Sequence, residues 1–136
     1  MQVNPYLMFN GTCETAFKFY EKVLGGKIEA MIPHKGSPAE GHVPPEWKDK
    51  IMHARLAIGD KVLMGSDAPP GHFEQPKGFS VTVNPTDPAE ADRIFGALAE
   101  KGTTTMPIGE TFWAARFGMC VDRFGIPWMV NCDKRA

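Results

Sequence analysis

Two stretches decide the fold: FNGTCETAFKFYEKVLGG, Phe9 to Gly26, and VNPTDPAEADRIFGALAEKG, Val83 to Gly102. In the first, Ala16, Phe19, Tyr20, Val23 and Leu24 recur at the three-and-four spacing of one helical face; in the second, Ala91, Ile94, Phe95, Leu98 and Ala99 do the same. Thr12 and Asp87 stand where a side-chain oxygen can accept a backbone N–H at each helix start, and Glu90 is spaced to complete a capping box after Asp87. Gly25-Gly26 and Gly102 supply the stops. From 12 to 87, 16 to 91, 20 to 95 and 24 to 99 the offset is a constant 75 residues. The chain therefore writes one unit twice.

The flanks of both helices repeat as well. Val3 to Phe9 and Phe79 to Asn84 precede them as strands, the latter carrying the β-branched run Val81-Thr82-Val83. After the first helix, Lys27 to Ile32, Lys50 to Ile58 and Lys61 to Ser66 read as strands, with Gly59-Asp60 as a hairpin turn. After the second, Thr103 to Met106, Thr111 to Val121 and Ile126 to Cys132 follow, with a turn over Asp122 to Gly125. The expected class is α+β: a βαβββ module over residues 1–67, a linker over 68–77 and a second βαβββ module over 78–136, in one compact domain. The breakers Pro33, Gly36, Pro38, Gly41, Pro44 and Pro45 predict a mobile flap between Pro33 and Asp49.

The composition of the 136 residues, 43% apolar and 23% charged, is that of one globular domain, and the net charge of -1 with scattered basic residues leaves no footprint for nucleic acid or anionic lipid. Three cysteines without a C-x-x-C pair argue against a disulfide framework or a thiolate zinc site. The start of the chain lacks a signal-peptide pattern and no apolar run approaches spanning length, so the expected location is the cytoplasm, without a membrane partner.

A twice-written βαβββ module resembles the vicinal oxygen chelate superfamily, which includes glyoxalase I, extradiol dioxygenases and bleomycin-binding proteins. NPYLMFNGTCETAFKFYEKVLGGKI, IMHARLAIGDKVLMGSD, ADRIFGALAEKG and IGETFWAARFGMCVDRFGIPWMVN together resemble its PhnB-like branch. The resemblance implies sheets curled around a cavity and a homodimer. It also implies four metal-ligand positions, which fall at Pro5, Leu63, Phe79 and Met129. Proline, leucine and phenylalanine offer no donor and a thioether is soft, so no hard metal is expected there. No cofactor is expected; a divalent metal at a relocated site stays open. A ubiquinone-pathway methyltransferase label is sometimes attached to this branch. An S-adenosylmethionine enzyme of the common kind needs a Gly-rich loop after its first strand, whereas LGGKIEA ends a helix and enters a strand.

His53 in IMHARL alternates with Ile51 and Arg55, and is either a cavity base or ligand or a hydrogen-bonded strand histidine. Glu110 in IGETFWAA precedes Phe112 and Trp113, where a carboxylate beside rings can orient a ligand, or is a solvated turn residue. Asp67 reads as a loop start, His34, His42 and His72 as solvated loop residues, and the cysteines as inert thiols. Met8, Met52, Met64, Met106, Met119, Met129, Trp113 and Trp128 lie on strands, as core or as pocket lining. The sequence points to metal-independent binding of a small molecule in a dimer cleft lined by Leu63, Phe79, Trp113, Met129, His53 and Glu110. The alternative is a lyase, dioxygenase or transferase rebuilt around His53 and Glu110.

Overall fold

The computed structural model describes residues 1–135. It divides into two compact units, Met1–Gln75 and Pro76–Ala136. Unit one contains β1 (Tyr6–Phe9), α1 (Cys13–Leu24), β2 (Lys27–Pro33), β3 (Ile51–Ile58) and β4 (Lys61–Asp67); unit two contains β5 (Val81–Val83), α2 (Pro88–Ala99), β6 (Thr103–Gly109), β7 (Ala114–Val121) and β8 (Pro127–Asp133). The sheets have the same topology, β1-β4-β3-β2 and β5-β8-β7-β6. In each, the first strand pairs parallel to the last while the remaining ladders are antiparallel. Both modules are thus βαβββ and the class is α+β, as the repeated grammar indicates.

Each helix buries its apolar stripe on one face of its own sheet. Ala16, Phe17, Tyr20 and Val23 of α1 are buried, as are Leu7, Phe9, Ala54, Leu56 and Leu63 of the strands beneath. The fit is close: a Cβ added at Gly65 would lie 2.7 Å from the Leu7 carbonyl oxygen and 2.9 Å from the Phe17 ring. In unit two Ala91, Ile94, Phe95 and Leu98 pack over Cys120, Trp128, Val130 and Cys132, and a Cβ at Gly118 would lie 2.8 Å from the Phe95 ring. These contacts fix which alternate side chains face the helix and which face away from it.

The helix starts differ from the sequence expectation. The Thr12 side chain makes no cap bond. Its place is taken by Asp67, at the far end of β4, whose Oδ1 accepts from Gly11 N at 2.9 Å and Cys13 N at 3.0 Å while Oδ2 accepts from Ile51 N at 2.8 Å. Asp67 is therefore a buried structural carboxylate, not a loop start. Asp87 does cap α2, accepting from Ala89 N at 3.2 Å, but Glu90 turns to Arg93 instead of closing a capping box. That pairing holds the Glu90 carboxyl below its ordinary range. At the helix ends Gly25 takes the left-handed cap of α1, whereas α2 stops at Ala99, with Lys101 at φ 61 and Gly102 N donating to Ala99 O at 2.9 Å.

The segment expected as a mobile flap folds back on unit one. Its base extends the β2–β3 ladder, with His34 N donating to Lys50 O at 3.0 Å and Lys35 N to Lys48 O at 2.9 Å, and two single 3-10 turns, Glu40–His42 and Pro45–Trp47, fill the middle. Lys50 Nζ donates to Gly11 O at 3.0 Å and lies 6.0 Å from the centre of the Trp47 ring. His34 is buried, with Nδ1 3.0 Å from Lys50 O, and so is not the solvated loop residue its surroundings in sequence suggested. The strand expected from Thr111 begins at Ala114, because the Thr111 hydroxyl accepts from Trp113 N and Ala114 N and holds a tight turn.

Candidate functional site

The side chains left for chemistry are those on the sheet faces turned away from the helices. In unit one the register row Tyr6–Met64–Arg55 crosses β1, β4 and β3. The next positions on that face are Met8, Ser66 and His53. Tyr6 Oη lies 3.4 Å from His53 Nδ1, with ring centres 6.0 Å apart, and Ser66 Oγ donates to Met8 Sδ at 3.7 Å. Arg55 Nε donates to Glu29 at 2.9 Å and so is neutralised within the same sheet. His53 is partly accessible with a phenol beside it, whereas Ile51, expected on its face, is buried where the β2–β3 register shifts.

In unit two the equivalent face presents the row Thr82–Met129–Met119–Met106 across β5, β8, β7 and β6. Phe117 and Asn131 form the neighbouring pair. Trp113 stacks edge-on to Phe117 at 5.3 Å and to Phe112 at 4.8 Å, and the rings of Phe112, Trp113 and Phe79 are exposed to solvent by 88%, 46% and 49%. Glu110 is exposed and paired with Lys134 Nζ at 3.5 Å, so the rings do not desolvate it. Arg116 bonds Asp92 of α2 at 3.1 Å, which puts it on the helix side.

Of the four family ligand positions, Met129 is on the face away from its helix. Leu63 is not: it is buried with Gly65 on the α1 side, and the β4 residue on the outer face is its neighbour Met64. A strand reverses its side chains at every step, so an error of one position moves a residue from the outer face into the core. Pro5 and Phe79 lie just before β1 and β5. Among the described residues no three His, Cys, Asp or Glu side chains gather as a metal set. His53 belongs to unit one and Glu110 to unit two, and each acts with partners of its own unit. The three thiols are buried; burial pushes Cys13 far above the usual thiol range, reinforced by Asp67, and raises Cys120 to about 11.

Residues 1–131 match the family model described as 3-demethylubiquinone-9 3-methyltransferase. The chain belongs to this family, in its PhnB-like form. It is 34% identical over 143 residues to the protein YjdN of Escherichia coli (strain K12), covering 99% of this chain and 97% of that one. The protein PA1353 of Pseudomonas aeruginosa has 53% identity and a TM-score of 0.91, with 99% of both chains covered. A PhnB protein from Bacillus cereus superposes with a TM-score of 0.81 at 23% identity, covering 97% of this chain and 99% of that one. A glyoxalase/bleomycin resistance protein/dioxygenase family enzyme from Burkholderia phytofirmans shares the fold, at a TM-score of 0.65 and 12% identity over 96% and 97% of the chains.

The methyl donor that the family description implies does not fit the place where a nucleotide-type cofactor is usually cradled. Between β1 and α1 the amides of Gly11 and Cys13 already donate to Asp67, and Trp47 and Lys50 lie over Gly11, so that a Cβ there would be 3.3 Å from the indole. Gly25-Gly26 caps the other end of α1, where a Cβ on Gly26 would collide with the Ala57 carbonyl oxygen at 2.5 Å. The same double glycine read as a helix stop in the sequence is a helix stop in the fold.

Proposed function

We propose that this PhnB-like chain binds a small, largely apolar molecule without a metal, as a cytoplasmic homodimer. One observation carries the reading: the sheet faces turned away from the helices present thioethers and rings, Met8, Met64, Tyr6, Met119, Met129 and Phe117, with few charges and no carboxylate–imidazole set among the described residues. Methionines adapt to irregular ligands and flat rings supply contact area at low entropic cost, which suits recognition by shape. Binding to the folded state raises the melting temperature, so a thermal-shift screen of aromatic and amphipathic compounds, run with and without a chelator, is the direct test. The expected hit stabilises equally in both conditions and is lost in Met129→Glu. Stabilisation that disappears with the chelator overturns the metal-free reading. Sedimentation velocity over a range of concentrations tests the homodimer; a single monomeric species throughout refutes it.

A second reading, an enzyme of the superfamily, draws on the contact between Tyr6 and His53. A phenol beside an imidazole can pass or hold a proton for a bound substrate. Glu110 is no longer needed in this reading, since it is engaged by Lys134. For any turnover found, His53→Ala is expected to remove it and Tyr6→Phe to shift its pH profile; unchanged rates in both variants eliminate the enzyme reading while leaving the binding reading intact.

A further inference from the structure

We infer that, in place of the apolar molecule proposed above and in competition with it for Met119 and Met129, the outer face of the second sheet can hold a soft monovalent metal ion, of the Cu(I) or Ag(I) type, between the thioethers of Met106, Met119 and Met129. The three residues stand opposite one another on three adjacent strands, Met106 opposite Met119 and Met119 opposite Met129, with the β6 register shifting on either side of Met106. Directly opposed residues share a face, and that face is the one away from α2, because the neighbours Gly118 and Cys120 point into the helix side. Opposed Cβ atoms on paired strands stand about 5 Å apart, a spacing from which two flexible thioethers can close on one ion.

The chemistry selects the ion. Thioether sulfur is a soft, uncharged donor that favours Cu(I) over the hard or borderline divalent ions, and the row contains no carboxylate or imidazole to attract them. Met119 and Met129 are partly accessible and Met106 is exposed by 42%, so an ion can enter without unfolding. Phe117 lies next along β7 on the same face, with Trp113 packed edge-on against it. Unit one has no such row: its equivalent carries Tyr6, Met64 and Arg55, with a single thioether among them.

The test uses the whole protein with its methionine methyl groups carbon-13 labelled and Ag(I) as a probe that does not change oxidation state. The expected result is saturable binding that shifts the methyl signals of Met106, Met119 and Met129 and leaves Met8, Met31, Met52 and Met64 unmoved. Met119→Leu conserves volume and is expected to weaken binding by about tenfold or more. Two results overturn the inference: no movement of the three signals at saturation, or loss of binding in a Cys120→Ala/Cys132→Ala variant whose methionine row is intact, which assigns the ion to the buried thiols.

Discussion

The two units run the same strand order and place a 12-residue helix on the same face, yet they start that helix by different means. In unit two the cap is local: Asp87 accepts the amide of Ala89, two residues on. In unit one it is long-range, because Asp67 reaches the amides of Gly11 and Cys13 from the end of β4 and ties in Ile51 as well. Near the end of β8 the buried residue is Cys132, which offers no charged acceptor. A local cap stabilises one helix end; a carboxylate shared by β4, α1 and β3 makes the helix start conditional on the closed sheet. Unit two puts its own buried carboxylate at the β7–β8 turn, where Asp122 accepts from Phe124 N, Ile126 N and Trp128 Nε1.

The contrast breaks first at Asp67. Asp67→Ala strands three amides, those of Cys13 and Ile51 buried and that of Gly11 partly so, and is expected to cost about 4 kcal/mol in urea unfolding, an effect of the kind a lost buried network produces. A loss under about 1 kcal/mol would mean that water or Thr12 replaces the carboxylate and that the two starts are equivalent after all. Next in size are the close approaches shared by both units. Gly65→Ala and Gly118→Ala each force a methyl against a packed ring and against backbone, and overpacking of this kind costs about 2 kcal/mol, with Gly65 the worse because the Leu7 carbonyl oxygen stands at 2.7 Å and the Ile108 Cα beside Gly118 at 3.0 Å. Equal losses at the two sites would show that the shorter backbone approach at Gly65 adds nothing to the cost.

Smaller again, Asp87→Ala is expected to cost about 1 kcal/mol, so the ratio of Asp67→Ala to Asp87→Ala measures the difference between a tertiary and a local cap. The thiols add a pH dependence to the same ledger of buried groups. An unfolded thiol releases its proton near pH 9.0 and folded Cys120 only near 11, so between those values the folded state holds more protons and stability falls as pH rises. Denaturation midpoints measured from pH 8 to 11 are expected to decline, and to decline less steeply in Cys120→Ala, where the buried Cys13 thiol still contributes. Least of all, Thr12→Ala is expected to change stability by less than about 0.5 kcal/mol, since its hydroxyl caps nothing.

Much of the fold was legible because its signals are local. Ala16, Tyr20 and Val23 of the first stripe, Ala91, Ile94, Phe95 and Leu98 of the second, the Gly25 stop and the Asp87 cap depend on neighbours within a few residues and all are present, whereas Phe19, Leu24 and Ala99 are only half-buried and Phe17 supplies a buried ring the spacing did not single out. The site was legible only in part. Met129 lies on an outer sheet face, but Leu63 proved to be core and Met64 its outward neighbour, because the period of a strand is two and resemblance alone does not fix the phase. Glu110 could not be judged from the rings beside it in sequence, since its partner Lys134 lies 24 positions away.

The sequence by itself determined the repeated βαβββ order and the position of both helices, since each follows from residue type and short-range spacing. Only the tertiary structure decided that Asp67 starts α1, that His34 is buried against Lys50, and that three methionines align across β6, β7 and β8. Those facts depend on strand register and on hydrogen bonds between residues far apart in the chain, and neither is encoded within the few residues over which local propensity acts.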